Sequence, residues 1–233
     1  MSYRGTRSIL SRLFPGDNVL FRLESPEDER AIHFINATAF GRPDEADLVD
    51  RLRAEGAVLA SLVAEQKEWD EEREGKLGEE RENKRGEEKS VVAHILFSRM
   101  SIETSSGPVA AVALAPIAVL PERQRRGIGG KLVQYALELL RKRGERIVIV
   151  LGDPDYYPRF GFSRDKARFL ESPFPPEAFM ALELQTGALE GVRGRVRYAA
   201  AFGLPGGCVD KVSPEIHAAK IRKKRGRVRG YLA

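Results

Sequence analysis

Cysteine occurs once in the 233 residues, at Cys208, so the chain cannot close an internal disulfide. That excludes a small disulfide-stapled scaffold and suits a reducing compartment, or indifference to redox state. Cys208 lies in the glycine-rich Leu204–Asp210 turn without a nearby histidine to activate it, and is read as an inert thiol. Long apolar runs are also missing. None approaches the roughly 18 residues that a membrane-spanning helix needs, so no membrane partner is expected. Residues 1–16 contain no acid but hold Arg4, Arg7 and Arg12, with no apolar core of secretory type. A mitochondrial targeting peptide has this composition; a ragged basic terminus on a cytoplasmic protein is the simpler reading.

What is present is the composition of a globular protein, 42% hydrophobic and 31% charged. The net charge of +5 is unevenly spread. Residues 65–89 hold eleven acids against seven bases, and are expected to form a long, largely disordered hairpin insertion between two strands, or a frayed solvated helix. From Lys211 onward there are eight basic residues and one acid, Glu215. The expected organisation is a basic extension at 1–17, one domain at 18–203 and a basic tail at 204–233. The stretch 220–229 within that tail would suit a nuclear address or nucleic acid, though a solvated tail is preferred.

Within the domain, Asn18–Leu23 alternates like a strand. Ser25-Pro26-Glu27-Asp28 opens a helix that Gly41 and Pro43 end near Phe40. Asp44–Glu55 has helical spacing, and Ala57–Ala64 and Val91–Ile102 read as strands. Val109–Val119 is a strand that contains Pro116, which cannot donate to a ladder, so a bulge or a parting from a neighbouring strand is expected there. A helix follows from Gly127 to Arg143, then a doubly covered strand at Arg146–Leu151, an aromatic segment at Tyr156–Phe162 and a late strand at Ala178–Leu184. Strand, helix, strand implies a parallel pair joined by a right-handed crossover, hence a mixed α/β sheet.

The most informative stretch runs from Val119 through Pro121, Glu122, Arg123, Gln124, Arg125, Arg126, Gly127, Ile128, Gly129 and Gly130 to Lys131 and Leu132. A strand enters a turn, and a helix leaves it through three glycines flanked by arginines. Unpaired N–H groups at a helix start favour a phosphate, and glycine lets the backbone approach it. Two commoner phosphate motifs fail. A P-loop needs Ser or Thr after Gly130-Lys131, where Leu132 stands; a dinucleotide fingerprint needs glycine at Leu132.

What remains, Gln124-x-x-Gly127-x-Gly129 after a strand, resembles the coenzyme A signature of the GCN5-related N-acetyltransferase (GNAT) superfamily. Tyr157-Pro158-Arg159-Phe160-Gly161-Phe162 is similar to that family's Tyr-x-x-x-Gly-Phe segment. Leu151–Tyr157, His94–Ser98, Leu114-Ala115-Pro116 and Phe179–Leu182 resemble a bacterial subgroup of N-acetyltransferases. The resemblance spans roughly residues 18–203. It implies an α/β (α+β) fold whose mostly antiparallel central sheet contains a parallel, splayed strand pair and is flanked by helices. It also implies acetyl-CoA as acyl donor, no metal, and an amine acceptor of unknown identity. Backbone groups of Gln124, Arg125, Arg126, Gly127, Ile128 and Gly129 would hold the pyrophosphate, with Gly130 and Lys131 close by. Ile117, Ala118 and Val119 would pair with the pantetheine arm.

Acetyl transfer needs a proton acceptor for the amine, a donor to the developing oxyanion and an acid for the departing thiolate. Tyr157 is the candidate acid, with Tyr156 as its neighbour and substitute. The oxyanion donor would be a backbone N–H of Ile117–Val119. Many family members place a glutamate on the Pro116 strand, but Val109–Leu120 contains no acid. Asp153, Asp155 and His94 remain as candidate bases, beside ordered water or capture of a neutral amine. That gap keeps a noncatalytic acyl-CoA-binding module as the alternative reading. The acceptor pocket, formed in this architecture by early helices and late strand segments, has no recognisable motif.

Overall fold

A computed structural model describes residues 19–67 and 89–204. The N-terminal extension, the 65–89 insertion except for its two ends, Cys208 and the basic tail lie outside the described residues.

Strands β1 (Val19–Leu23), β2 (Val58–Lys67), β3 (Lys89–Thr104), β4 (Gly107–Val119) and β5 (Ile147–Leu151) lie side by side, and β7 (Phe179–Glu183) closes the far edge. All neighbouring pairs along this path are antiparallel except β4 and β5, which are parallel. The expected mixed sheet is therefore the observed one. The crossover joining its parallel pair is α3 (Ile128–Lys142).

The sheet is buried on both faces, which is why its central strands carry runs of apolar residues instead of strict alternation. On one face α3 packs Leu132, Val133, Ala136 and Leu140 with Ala93, Ile95 and Phe97. On the other, α1 (Glu29–Phe40) and α2 (Asp44–Ala54) pack Ile32, Val49 and Leu52 with Val63 and Leu96. The alternation of Ile95, Leu96 and Phe97 between the two cores is the two-residue period of a strand. A single turn of 3-10 helix, Pro26–Asp28, leads into α1, and the Asp28 carboxylate accepts from the Ser25 backbone N–H at 2.7 Å.

Two sequence expectations change. The charged insertion begins later than position 65, because β2 continues to Lys67 and β3 already starts at Lys89. Glu65 is buried, its carboxylate bonded to Arg22 Nε at 2.7 Å, so an ion pair carries its charge into the fold. The second change is at the C-terminal end. A short helix α4 (Arg164–Ala167) and strands β6 (Leu170–Glu171) and β8 (Gly194–Arg197) were not expected. β8 pairs with β3 at Ser101–Glu103, past the point where β2 ends its pairing at Ser98.

Candidate functional site

The ladder between β4 and β5 runs only from Val112–Val148 to Leu114–Val150. Beyond Leu114, β4 continues to Val119 with β3 alone beside it, while β5 turns to β7. The parting happens where Pro116 stands. On the β3 side the register jumps from Ile95–Ile117 to Phe97–Leu114, so Ala115 and Pro116 together oppose Leu96 as a bulge. Both consequences expected of this proline, a bulge and a parting, occur. Between the splayed strands lies a cleft of about 820 Å3 including its open mouth, lined along β4 from Ala113 to Ile117 and across from it by Ile149, Leu151 and Tyr157.

At the end of β4 the chain makes a 3-10 turn, Pro121–Arg123, and enters α3. The Gln124 side chain ties this turn to the strand, its Nε2 donating to the Val119 carbonyl at 3.0 Å. Arg125 has φ +61 and Gly127 has φ +81, so two left-handed residues bend the chain before the helix. For glycine that conformation is free; for arginine it costs on the order of 1–2 kcal/mol, and such strain concentrates at working sites. Lys131 N–H is the first to close onto the turn, donating to Gly127 O at 3.1 Å. The N–H groups of Ile128, Gly129 and Gly130 therefore sit in the first helical turn, where no intrahelical acceptor exists. Arg125 and Arg126 are exposed, with no ion-pair partner among the described residues. An anion laid on this turn would meet backbone N–H groups, the positive end of α3 and two arginines. Ile117, Ala118 and Val119 lead directly into it along β4.

The aromatic segment faces this arrangement. After β5, Asp153 O accepts from the backbone N–H groups of Tyr156 and Tyr157, and Asp153 Oδ1 accepts from Asp155 N–H at 2.7 Å. Asp153 is thus a turn-former, and neither it nor Asp155 lines the cleft. Tyr157 does line it, at the start of a 3-10 turn, with its ring packed over Gly152 so closely that any Cβ there would overlap it. Phe162 meets the same ring edge to face at 5.6 Å. Tyr156 points into the core instead. Burial raises its hydroxyl above the ordinary phenol range, against the opposing charge of Arg159, and that hydroxyl has no hydrogen-bond partner among the described residues.

His94 takes a different position. It has no exposed surface and lies between Asn36 Nδ2, 3.0 Å from its Nδ1, and Ser61 Oγ, 2.9 Å from its Nε2. Burial, helped by Arg53, holds its pKa down to about 3, so the ring is neutral across the physiological range. It does not line the cleft. Missing from the sequence reading are Glu45 and the rings of Phe40, Phe174, Tyr198 and Phe202, which also line the cleft. They come from four separate segments, so no spacing in the chain marks them as a group.

Comparison with known proteins agrees with this geometry. The profile of the acetyltransferase (GNAT) domain family matches residues 21–164. An uncharacterized N-acetyltransferase of Escherichia coli, YjhQ, is 34% identical over 162 residues, 67% of this chain and 78% of that protein. The crystal structure of a second, YhbS from E. coli in complex with CoA, superposes with a TM-score of 0.66 at 30% identity, covering 82% of this chain and 94% of that one. A GNAT family acetyltransferase from Brucella melitensis, in complex with acetyl-CoA, gives 0.59 at 32% identity over 79% and 97% of the two chains.

Proposed function

This chain belongs to the GNAT acetyltransferase family, and from that premise we propose that it transfers the acetyl group of acetyl-CoA to a primary amine. The observation that carries the proposal is the parting of β4 from β5 after Leu114, directly upstream of the Gln124–Gly130 turn and opposite Tyr157. The E. coli and B. melitensis relatives crystallised with CoA and acetyl-CoA support the choice of donor.

In this reading the pyrophosphate lies on the N–H groups of the Gln124–Gly130 turn, with Arg125, Arg126 and Lys131 adding positive charge. Hydrogen bonds to charged groups contribute about 1.5–3 kcal/mol each, so three or four account for much of a micromolar affinity. The pantetheine arm runs between the splayed strands, pairing with the β4 edge at Ile117–Val119. The amine nitrogen attacks the thioester carbon. A backbone N–H of that edge donates to the developing oxyanion, and the C–S bond breaks as the C–N bond is kept. Tyr157 gives its phenolic proton to the sulfur as the C–S bond breaks, and is reprotonated from solvent. The amine proton leaves to solvent; of the candidate bases read from the sequence, His94, Asp153 and Asp155 do not line the cleft. The single cysteine supports assigning the enzyme to the cytoplasm.

The test joins binding to turnover. Acetyl-CoA at millimolar concentration should raise the melting temperature, and an amine screen should release CoA thiol. Tyr157→Phe should lower kcat by roughly 10²-fold with the KM for acetyl-CoA little changed, since general acids contribute about 10²–10⁴ to rate. A protein that shows no thermal shift with the cofactor would remove the proposal.

A further inference from the structure

Basic side chains on the C-terminal part of the fold fall into two groups. Lys166 is paired with Glu183 at 3.6 Å, Arg195 with Glu171 at 3.3 Å and Arg197 with Glu103 at 2.6 Å. Arg164, Arg168 and Arg193 are exposed and have no ion-pair partner among the described residues. Two of these three converge on one ring. The Arg193 guanidinium lies over Phe169 at 3.7 Å from the ring centroid, and that of Arg168 at 4.6 Å. Phe169 is 41% exposed, one of three large apolar side chains left exposed among the described residues; the other two, Leu23 and Phe34, belong to β1 and α1. Arg164 precedes Arg168 by four residues along the single turn of α4, hence on the same side of it. The backbone beneath is pinned. β6 pairs in parallel with β8 from Leu170–Gly194, and Gly194 N–H donates to Phe169 O at 3.3 Å. Gly194 also passes so close to the Glu103 backbone that no Cβ would fit, which holds the start of β8 against β3.

We infer that this face, made of Arg164, Arg168, Phe169 and Arg193, docks single-stranded RNA. Such binding is independent of the acetyl transfer proposed above. Its physical basis is like charge held in place without a counter-charge. Two guanidiniums gathered on one ring repel each other, and the ring's negative face offsets only part of that repulsion. A polyanion completes the balance. Stacking on the ring orients each guanidinium plane and leaves its N–H edge for phosphate oxygens, which it meets two at a time. Unstacked bases lie on arginine planes and on exposed aromatic rings, so the same group serves both parts of a single strand. A duplex keeps its bases stacked inside and would use the charge alone. A lipid surface calls for several apolar anchors, and this face has one. Asp165, next to Arg164, adds an exposed carboxylate that repels phosphate but accepts from a ribose 2′-hydroxyl, which favours RNA over DNA. Four residues further along β6 and β8, roughly 13 Å, the chain reaches Phe174 and Tyr198 in the lining of the cleft, so docked RNA lies on the flank that carries those two rings.

The test uses the full chain and a fluorescein-labelled oligouridylate of about twelve nucleotides, followed by anisotropy between about 50 and 200 mM salt. The basic stretch 220–229 is present in every protein compared, so differences between variants report this face alone. Arg168→Gln with Arg193→Gln should weaken RNA binding about tenfold at the lower salt and reduce the salt slope by about 1.4, since each phosphate contact on a single strand contributes about 0.7. Arg168→Lys with Arg193→Lys keeps the charge but loses the stacked plane, and should weaken binding about threefold. Phe169→Ala should do the same with all charges in place. Unchanged melting temperatures check that these surface variants fold. Equal RNA affinity in wild type and in the double glutamine variant would overturn the inference, because all binding would then lie elsewhere. So would a loss on the same substitutions confined to duplex DNA, or to vesicles of phosphatidylcholine and phosphatidylglycerol. A competition with the unaltered protein gives a second reading that no folding defect can obscure. Unlabelled oligouridylate should displace the probe at lower concentration than oligothymidylate of equal length, and the reverse order would also remove RNA as the partner.

Discussion

At the scale of single residues, His94 shows how a functional residue type can be absorbed into structure. Asn36 Nδ2 also donates to Ile32 O at 2.8 Å, and an amide nitrogen can only donate, so His94 Nδ1 accepts and its Nε2 carries the proton. That proton points to Ser61 Oγ, whose own hydroxyl donates to Glu24, and Glu24 is held by Arg53 Nη2 at 2.8 Å. The chain of bonds uses the neutral ring completely. Protonating it would turn Nδ1 from acceptor to donor against the Asn36 amide, without any exposed surface for relief. Native His94 is held near 3, whereas in the unfolded chain it returns to about 6.5. Below that value the unfolded state binds the extra proton, so stability is unaffected above pH 6.5 and is lost as pH falls toward 3. By pH 5 the loss should reach about 2 kcal/mol. Urea unfolding at pH 7.5 and pH 5 checks this. The drop should largely disappear in His94→Gln, and a wild-type protein equally stable at both pH values would show that the ring is not held neutral.

At the scale of elements, the glycines around the site do different jobs and so predict different losses. Gly127 caps α3 in the left-handed region, and a Cβ built on it meets no atom within 4 Å. Gly127→Ala should therefore cost about 1 kcal/mol of stability through backbone strain alone, and, if the turn holds the pyrophosphate as proposed, weaken CoA by about tenfold. Gly152→Ala instead displaces the Tyr157 ring, so kcat should fall while the affinity for CoA holds. Parallel calorimetry and steady-state kinetics on the two variants separate these outcomes, and identical profiles would contradict the division of labour. This division explains what the sequence reveals at this level. Gln124-x-x-Gly127-x-Gly129 is legible because its residues are contiguous and each has a backbone reason to be there. Pro116 is legible because proline in a strand is an anomaly with few solutions. Gly152 beneath Tyr157 is not, because a glycine that makes room for a ring looks in sequence like any turn glycine. Nor is β8, a four-residue strand whose neighbour on β3 lies some ninety positions earlier.

At the scale of the whole molecule, long helices and central strands announce themselves by period, while the groups that tie distant segments together do not. The aromatic wall of the cleft is one such group. Arg22 is another. From the edge strand β1 its Nη1 and Nη2 reach Asp28 at 2.6 and 2.9 Å, and its Nε reaches Glu65 at 2.7 Å. One guanidinium thereby joins β1, the entry to α1 and the end of β2, and both carboxylates are buried. In sequence Glu65 is the first member of an acidic run and reads as solvated; only the fold reveals that it faces Arg22. Replacing Arg22 by methionine keeps much of the apolar stem but leaves two buried carboxylates without this counter-charge. Breaking a buried pair costs about 3–5 kcal/mol, and the partial exposure of Arg22 places the expected loss near the lower figure, about 3 kcal/mol at pH 7. The pH dependence has a definite sign. Burial pushes Asp28 upward, but hydrogen bonds from Arg22 and Ser25 outweigh it and hold the carboxyl below its ordinary range. The stabilisation is therefore present at neutral pH and lost as pH falls through the carboxylate range. The gap in unfolding free energy between wild type and Arg22→Met should narrow as pH falls below about 4, where the unfolded chain takes up the Asp28 proton before the folded one does. A gap that stays constant would mean that Arg22 acts through packing of its stem, and that the three segments are joined by the apolar core alone.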